Sequence, residues 1–547
     1  MSTRRNFLKT AALGTAGLQG TVGALASRRQ SSGCFTVHPF VDNHPEAVFI
    51  MPTRVDHKLN SQAKMDAGLA FARSVFLPGD EHGIPLTASI PVKLNLKTVP
   101  VKEESPLEDV IGTVTDPWFS EGVFEGMKEL GIPGRNIHVC ENPRGDTFRQ
   151  YGILDSFERV GVDFRTGSGN VARDMESGRD FNWWEVTDGK FFTKIPILAP
   201  INEPDTWLLN ISKFKTHGMG MTLCSKNTQG TIVPPFVRFC SPADSDMNIP
   251  STCRHANAIE FIRTNHRHHL GGIPRWNRPG ARGGIWQEAW SQRTLDYHSV
   301  TPMGFNVIEA IYGRDGDCGY AGPHPFDIAD VHGKSGTSTV DVAKDYMSNM
   351  VIFGKNIFSV DIVGHWLGGH EPGNFGYFHL AVERGLSNVL NPRNIPVYIW
   401  NNGEAVLQPL ESFSRTPLLT YYLQRDYNGG IEPKYHLVDE PFDYRTITGI
   451  DRPERPTKPD VFVLCQSFVT PENPHASIEY RLPMSGFVRL EVRDSRGDLV
   501  DVLVDDYRVS GAHMARWNTR NRAPGTYSYR LRINGYRTSG GLVLQAS

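Results

Sequence analysis

The sequence predicts an α/β fold, with a largely parallel sheet and helices on both faces, followed by a smaller all-β domain. Two patterns lead to this class. Between about residues 85 and 400, short apolar runs rich in β-branched residues alternate with stretches of helical spacing, which is typical of a parallel sheet covered by helices. From Val461 onwards, apolar and polar residues alternate in short runs separated by turn residues, as in all-β domains.

The amino terminus has the features of an export signal. Residues 3–9 read TRRNFLK, and an apolar stretch rich in alanine and glycine extends from Thr10 to Ala26, where it ends in a small-x-small motif. This order of regions predicts a twin-arginine signal peptide over residues 1–26. It implies the twin-arginine translocase as a partner and a periplasmic or extracellular location. An uncleaved amino-terminal anchor is the alternative. Residues 27–45 are predicted to be a linker.

The composition excludes one class of function and limits others. The 547 residues carry a formal net charge of -2, with 39% hydrophobic and 21% charged residues. This near-neutral charge argues against nucleic-acid binding, which needs a basic surface. The seven cysteines include no CxxC pair, so neither a ferredoxin-type cluster loop nor a zinc ribbon is expected.

The α/β domain is predicted to extend from residue 46 to residue 450. Strands are predicted over 88–96, 136–140, 207–211, 307–308, 357–360 and 397–400, and helices over 118–130, 153–160 and 374–385. Residues 229–300 are rich in Pro, Arg, His, Trp and Gly and are predicted to form an irregular insertion over the sheet edge. A linker over 451–460 separates this domain from the last one, 461–547.

Several segments of the α/β domain resemble a known family. They are Val92–Leu96, Thr113–Asn142, Leu208–Gly230 with its KFKTHG and KN motifs, Asn306–Gly316, and Asp361 with Gly364 and Gly368. On these segments the main body resembles the family known as domain of unknown function 362, over most of residues 85–395. The resemblance implies a fold, since the family has no established common reaction. Many relatives carry an iron–sulfur cluster module, whose cysteine spacing is missing here, and Glu309 stands where the family usually has an aspartate.

The last domain carries a second resemblance. Alternating runs such as Ser477–Pro483 and Phe487–Arg493 predict five or more short strands in a small sandwich. With the motifs YRLP at 480–483, WN at 517–518 and APGTYSYRL at 523–531, it resembles the immunoglobulin-like domain that ends flagellar hook-capping proteins and many secreted bacterial proteins. The resemblance implies a structural, attachment or sorting module that contacts a cell-envelope partner.

Charged side chains stand at the ends of several predicted strands, where open parallel sheets bind their ligands. For an anionic small molecule, we predict the binding residues Lys93, Asn95, Lys97, Lys213, Lys215, Gly218, Lys226 and Glu309. His217, Glu141 and Asp361 are predicted to be catalytic through proton transfer. The alternative for Lys213 and Lys215 is structural pairing with Glu141, Glu309 or Asp361. The alternative for His217 is a buried hydrogen bond.

A second group of candidate residues lies in the insertion. Cys253, His255, His266 and His268 carry the donor atoms that zinc, copper and iron prefer. Their spacing fits no standard site. They are predicted to be metal ligands, and a surface loop rich in arginine and histidine is the alternative.

Two functions are consistent with these patterns. In the first, an exported α/β protein binds an anionic small molecule or a metal-linked cofactor at the strand ends, as a redox or transferase-type enzyme. In the second, a non-catalytic cell-envelope protein binds or acts as a scaffold and is attached through its C-terminal sandwich. The sequence does not decide between an enzyme and a binding protein, and it identifies no cofactor.

Overall fold

The computed structural model describes most of the chain, and all structural statements below concern the residues that it describes. These are residues 33–81, 83–96, 110–141, 148–149, 151–166, 175–217, 220–233, 284–315, 344–418, 420–421, 435–436, 439, 441–446, 475–482, 486–508, 511–520, 522–533 and 536–544.

Helices and strands alternate irregularly along the described part of the chain. The helices are α1 Pro39–Asn43, α2 Ser61–Val75, α3 Pro117–Glu129, α4 Ile153–Val160, α5 Leu223–Asn227, α6 Gly284–His298, α7 Ile357–Leu367 and α8 Gly376–Glu383. The strands of the first part are β1 Cys34–Val37, β2 Val48–Pro52, β3 Phe76–Pro78, β4 Ile84–Pro85, β5 Ile90–Leu94, β6 Ile137–Glu141, β7 Asp163–Thr166, β8 Phe181–Glu185, β9 Lys194–Leu198, β10 Leu209–His217, β11 Gly220–Met221, β12 Phe305–Arg314, β13 Asp345–Gly354, β14 Val397–Asn401, β15 Glu404–Gln408, β16 Thr420–Tyr421 and β17 Tyr435–His436. The strands of the last domain are β18 His475–Leu482, β19 Gly486–Arg493, β20 Leu499–Arg508, β21 Gly511–Asn518, β22 Gly525–Ile533 and β23 Tyr536–Leu544.

One large mixed sheet organises the α/β domain. Its strand order is β15-β14-β2-β13-β12-β10-β5-β6-β7, with β11 paired to β10. Neighbouring strands run parallel from β12 through β10, β5 and β6 to β7, and β2 runs parallel to β14. The strands β13 and β15 run the other way. The predicted, largely parallel sheet with helices is therefore confirmed.

Each face of this sheet packs against its own helices. On β10, Leu209 and Ile211 belong to the apolar cluster that contains residues of α2 and α3, and we call this side the α3 face. Phe214 lies at an even-numbered position of β10, unlike Leu209 and Ile211. It belongs to the cluster that contains residues of α7 and α8, and we call this side the α7 face. Because successive side chains of a strand point to opposite faces, the parity of a residue decides which helices it meets.

The helices α2 and α3 approach each other closely through glycine. A Cβ atom at Gly122 would lie 2.0 Å from the carbonyl oxygen of Met65, and one at Gly68 would lie 2.0 Å from that of Phe119. Glycine is needed at both positions because any side chain would push the two backbones apart. This close packing holds the start of α3 against the sheet.

Three predictions differ from the structure. Residues 357–360, predicted as a strand, begin α7, because a fully buried helix and a buried strand both read as continuous apolar runs. Residues 34–43, predicted as linker, form β1 and α1, with β1 paired to β3 and β4. Residues 284–298, predicted as part of an irregular insertion, form α6.

The last domain consists of two antiparallel sheets. The strand β18 pairs with β21, and β20, β19, β22 and β23 pair in that order. Side chains from both sheets enter one buried cluster, which includes Tyr480, Leu490, Trp517 and Leu531. Each strand predicted from sequence alternation in this domain has a counterpart in the structure, because local alternation directly reports a strand with one buried face.

Among the described residues, no helix is both long enough and apolar enough to cross a lipid bilayer.

Candidate functional site

Four neighbouring parallel strands carry most of the predicted site residues that the structure describes. Lys93 lies in β5, Glu141 ends β6, and Glu309 lies in β12. The strand β10 continues to His217 instead of ending at residue 211, so Lys213 and His217 are part of the strand rather than of the loop after it. All these side chains are buried.

Lys93, whose position in β5 faces α7, is the centre of a polar cluster where β5 and β6 end. Its ammonium donates hydrogen bonds to Glu141 Oε2, to the backbone carbonyl of the following residue and to Asn227 Oδ1, the last over 3.0 Å. The amide of Asn227 donates to Asn210 Oδ1 over 2.9 Å. We call Lys93, Glu141, Asn210, Lys226 and Asn227 the Lys93 cluster. Three acceptors satisfy the three protons of the ammonium.

The segment Leu223–Thr231, which comprises α5 and a following 3-10 turn, covers this cluster. A Cβ atom at Gly230 would lie 2.2 Å from Glu141 Oε1 and 2.9 Å from Lys93 Nζ. Burial lowers the pKa of Lys93, the Glu141 carboxylate raises it, and the charge of the half-buried Lys226 lowers it further. The cluster therefore holds two ammonium groups and one carboxylate.

A second polar cluster lies on the opposite, α3 face of the sheet. Lys213 Nζ is 2.6 Å from Glu309 Oε2, and both side chains are fully buried. Glu309 also accepts from the backbone N–H groups of Asp116 and Ile311. Asp116 caps α3 and pairs with the buried Lys64 over 2.6 Å. We call Lys64, Asp116, Lys213 and Glu309 the Lys213 cluster. Its two ammonium groups are matched by two carboxylates.

The sheet therefore divides the predicted site into two clusters. In the pairing of β5 with β10, Asn210 lies opposite Lys93, and Lys213 is three residues further along, with opposite parity. The positions of the two lysines are offset by about 10 Å in the direction of the strands, and their side chains project from opposite faces of the sheet. The structural pairing that the sequence left open for Lys213 is the one observed, with Glu309 as partner.

Asp361 lies within α7, not after a strand as its sequence position suggested. Its carboxylate accepts hydrogen bonds from Cys224 N over 2.7 Å, from Ser225 N over 2.8 Å and from Ser225 Oγ. Burial raises the pKa of Asp361 to about 7, and the bonds from Ser225 and Cys224 counteract this only in part. Asp361 thus anchors α5, the element that carries two residues of the Lys93 cluster.

The remaining predicted residues are placed as follows. Asn95 donates to the Thr113 carbonyl on the α3 side and is buried. Lys215 Nζ donates to the Thr216 carbonyl over 3.3 Å, and His217 lies opposite Gly220 in the β10–β11 pair. Lys97, Gly218, Cys253, His255, His266 and His268 lie outside the described residues. Within the described part of the chain, no group of three or more His, Cys, Asp or Glu residues could hold a metal ion.

Three residues of the observed arrangement were not predicted. Asn210 and Ser225 link β10 and α7 to α5 through hydrogen bonds, and Asn227 contacts Lys93. All three stand in the segment Leu208–Gly230, which carried the family resemblance. A polar amide inside the apolar run of β10 was the available signal for Asn210, since a buried amide needs a partner.

Comparison with known proteins identifies one family. The model of a family described as a domain of unknown function (DUF362) matches residues 90–365, about half of the chain. This region contains the whole Lys93 cluster and Asp361. No curated protein matches the chain.

Proposed function

We propose, from the premise that this chain belongs to the family of domain of unknown function DUF362, that it binds an anionic small molecule at the Lys93 cluster. The ligand class is a carboxylate or a phosphate. The observation that carries the proposal is that two lysines, the buried Lys93 and the half-buried Lys226, act on each other through their charges where β5 and β6 end. Ligands of open α/β sheets bind outside the carboxyl ends of the strands.

The charges of the cluster favour an anion. Burial and the neighbouring charge of Lys226 both lower the pKa of Lys93, which means that its charged form is under-stabilised. An anion beside Lys226 would reduce the repulsion between the two ammonium groups. In the Lys213 cluster each ammonium contacts a carboxylate over 2.6 Å and all four side chains are buried, so that cluster is not proposed to bind an anion.

Lys226 is the residue that we propose meets the ligand first. It is half-buried, whereas Lys93, Glu141 and Asn227 are all buried beneath the Leu223–Thr231 segment. Lys93 then acts over a short distance through its charge. Because the cluster is shielded from water, these charges act more strongly than on an open surface.

The same charges would stabilise negative charge that develops during a reaction. We therefore extend the proposal to a transferase-type enzyme in which Glu141, in contact with the Lys93 ammonium, exchanges a proton with it. The binding step is tested first, because a reaction at this site requires it.

The test of binding compares two lysine variants of the mature chain. Lys226→Ala removes the proposed contact, and Lys128→Ala removes a surface lysine of α3 that pairs with Glu125. Thermal unfolding is followed with sulfate, phosphate and citrate. We expect at least one anion to stabilise the wild type and Lys128→Ala but not Lys226→Ala. Equal stabilisation of all three proteins, or of none, contradicts the proposal.

A second function, attachment at the cell envelope, is favoured by the last domain. We propose that it is an immunoglobulin-like sandwich with an attachment or sorting role. In support, its two sheets share one core, and Tyr527 Oη donates to the Ala523 carbonyl over 2.8 Å, similar to the tyrosine corner of such folds. A chain truncated after residue 460 should then be exported but released from the cell surface. Equal retention of both forms in cell fractions contradicts this role.

Export itself is proposed to use the twin-arginine route. Replacing Arg4 and Arg5 together by lysine keeps the charge but removes the paired guanidinium groups. We expect the precursor of this variant to stay in the cytoplasm, as measured by fractionation and by the absence of cleavage. Normal export of the variant contradicts the assignment.

A further inference from the structure

Asp361 is a buried carboxylate whose hydrogen bonds all reach one short segment. Its two oxygens accept from Cys224 N over 2.7 Å, from Ser225 N over 2.8 Å and from Ser225 Oγ. The next two residues along the chain are Lys226 and Asn227, which belong to the Lys93 cluster. Asp361 therefore holds the near end of this segment to α7.

The far end of the same segment is held to the sheet. Asn227 Oδ1 accepts from Lys93, and its amide donates to Asn210 over 2.9 Å. Asn210 in turn donates to the Cys224 carbonyl over 2.8 Å. The position of Lys226 is thus set between two anchors, one on α7 and one on the strands β5 and β10.

The surroundings of Asp361 make its charge costly. Among the described residues, the titratable groups whose charges interact with Asp361 are Cys224 from α5 and Tyr377 from α8. Arg384, whose charge acts on Tyr377 and His298, is paired with Asp296 over 2.7 Å. His365 of its own helix is bonded to the Asp361 carbonyl, and His298 of α6 is bonded to the Ser225 carbonyl. The cysteine, the tyrosine and the two histidines are not permanent cations. A buried charge without a cation lowers stability, which offsets the stabilisation from the three hydrogen bonds, so stability alone does not account for a carboxylate here.

We propose that Asp361 is the positioning residue of the anion site: its carboxylate fixes Cys224 and Ser225 so that Lys226 and Asn227 stand beside Lys93. This inference rests on the proposed anion binding at the Lys93 cluster. It assigns Asp361 a role that acts through the segment and not through contact with the ligand.

The test measures binding and stability together. Asp361→Asn keeps the size of the side chain but cannot accept from all three donors at once. In the mature full chain at pH 8, we expect sulfate to bind about tenfold more weakly, while the free energy of unfolding stays the same or rises. Ser225→Ala, which removes one donor and leaves the carboxylate in place, should weaken sulfate binding by a smaller factor.

Asp116→Asn is the matched control. Asp116 also caps a helix with a buried carboxylate, but it lies in the Lys213 cluster on the other face. We expect this variant to lose stability and to keep its sulfate affinity.

The remaining outcomes contradict either the positioning role of Asp361 or the proposed anion binding itself. Unchanged or tighter sulfate binding in Asp361→Asn overturns the positioning role, since tighter binding would mean that the carboxylate merely repels the anion. Parallel losses of stability and binding overturn it as well, because they indicate a structural role alone. A wild-type chain that does not bind sulfate, phosphate or citrate at all refutes the proposed function itself.

Discussion

The Lys213 cluster and the Lys93 cluster lie on neighbouring strands, yet they differ in burial and in the elements that cover them. The first is a closed set of two ammonium groups and two carboxylates, with contacts of 2.6 Å and no exposed member. The second joins the buried Lys93 to Glu141, includes the half-buried Lys226, and is covered by a segment that hydrogen bonds hold in place. Charged residues of one type on neighbouring strands can thus form a closed set of ion pairs on one face of the sheet and, on the other, the cluster for which we propose a ligand.

The largest expected effect concerns the closed cluster. Lys213→Met leaves Glu309 buried without its ammonium partner, and we expect a loss of about 3–5 kcal/mol in the free energy of unfolding. The double variant Lys213→Met with Glu309→Leu should recover much of that loss, because no unpaired charge remains. Urea denaturation measures both. A single variant that is nearly as stable as the wild type would remove the distinction between the clusters.

The next effect is the pH dependence that Asp361 contributes. Its pKa is about 7 in the folded chain and 3.8 ordinarily, so the folded state binds more protons between these values. Stability from this group is therefore full below about pH 4 and is lost as pH rises to about 7, by about 4 kcal/mol in total. The stability difference between Asp361→Asn and the wild type should grow in favour of the variant over this range.

Two histidines oppose this trend and make the comparison with the variant necessary. Burial lowers the pKa values of His298 and His379 to about 4, so their contribution is full above about pH 6.5 and falls as pH drops towards 4. The dependence of wild-type stability on pH contains both the loss from Asp361 and the gain from the histidines as pH rises. A difference between variant and wild type that does not change with pH would contradict the raised pKa of Asp361.

A smaller effect is expected at the cover of the Lys93 cluster. Gly230→Ala places a methyl group 2.2 Å from Glu141 Oε1, so the ends of Glu141 and Lys93 must shift. We expect a loss of about 1 kcal/mol in unfolding free energy together with weaker sulfate binding. Gly385→Ala is a useful control for removal of a glycine, because its Cβ would meet no atom within 4 Å. It should lose stability through its positive φ alone and keep sulfate affinity.

The smallest expected effect is that of Lys226→Ala on stability. Since this lysine repels Lys93 and is half-buried, its removal should change the free energy of unfolding by less than about 1 kcal/mol. The difference in unfolding free energy between Lys226→Ala and Lys213→Met directly tests whether the two clusters have different roles. A loss as large as that of Lys213→Met would show that both clusters are structural.

Local patterns in the sequence were sufficient to predict much of the fold. The helix predicted over 118–130 is α3, the helix over 153–160 is α4, and the strands of the last domain appear where alternation placed them. The strand over 357–360 was wrong because eleven buried residues in α7 leave no polar face to reveal the period of a helix. The short strand β1 gave too few residues for a periodicity and is defined by its pairing with β3 and β4.

The amino-acid sequence by itself determined which charged and polar residues lie in or next to the apolar runs of the α/β domain, because strand and helix periods are local properties. Only the tertiary structure decided that Lys93 and Lys213 project from opposite faces, that Lys213 is neutralised by Glu309, and that Asp361 holds the segment bearing Lys226. The physical reason is that strand order, register and the docking of α5 join residues distant in the chain. Those contacts set the balance of charge at each place, and no local pattern records them.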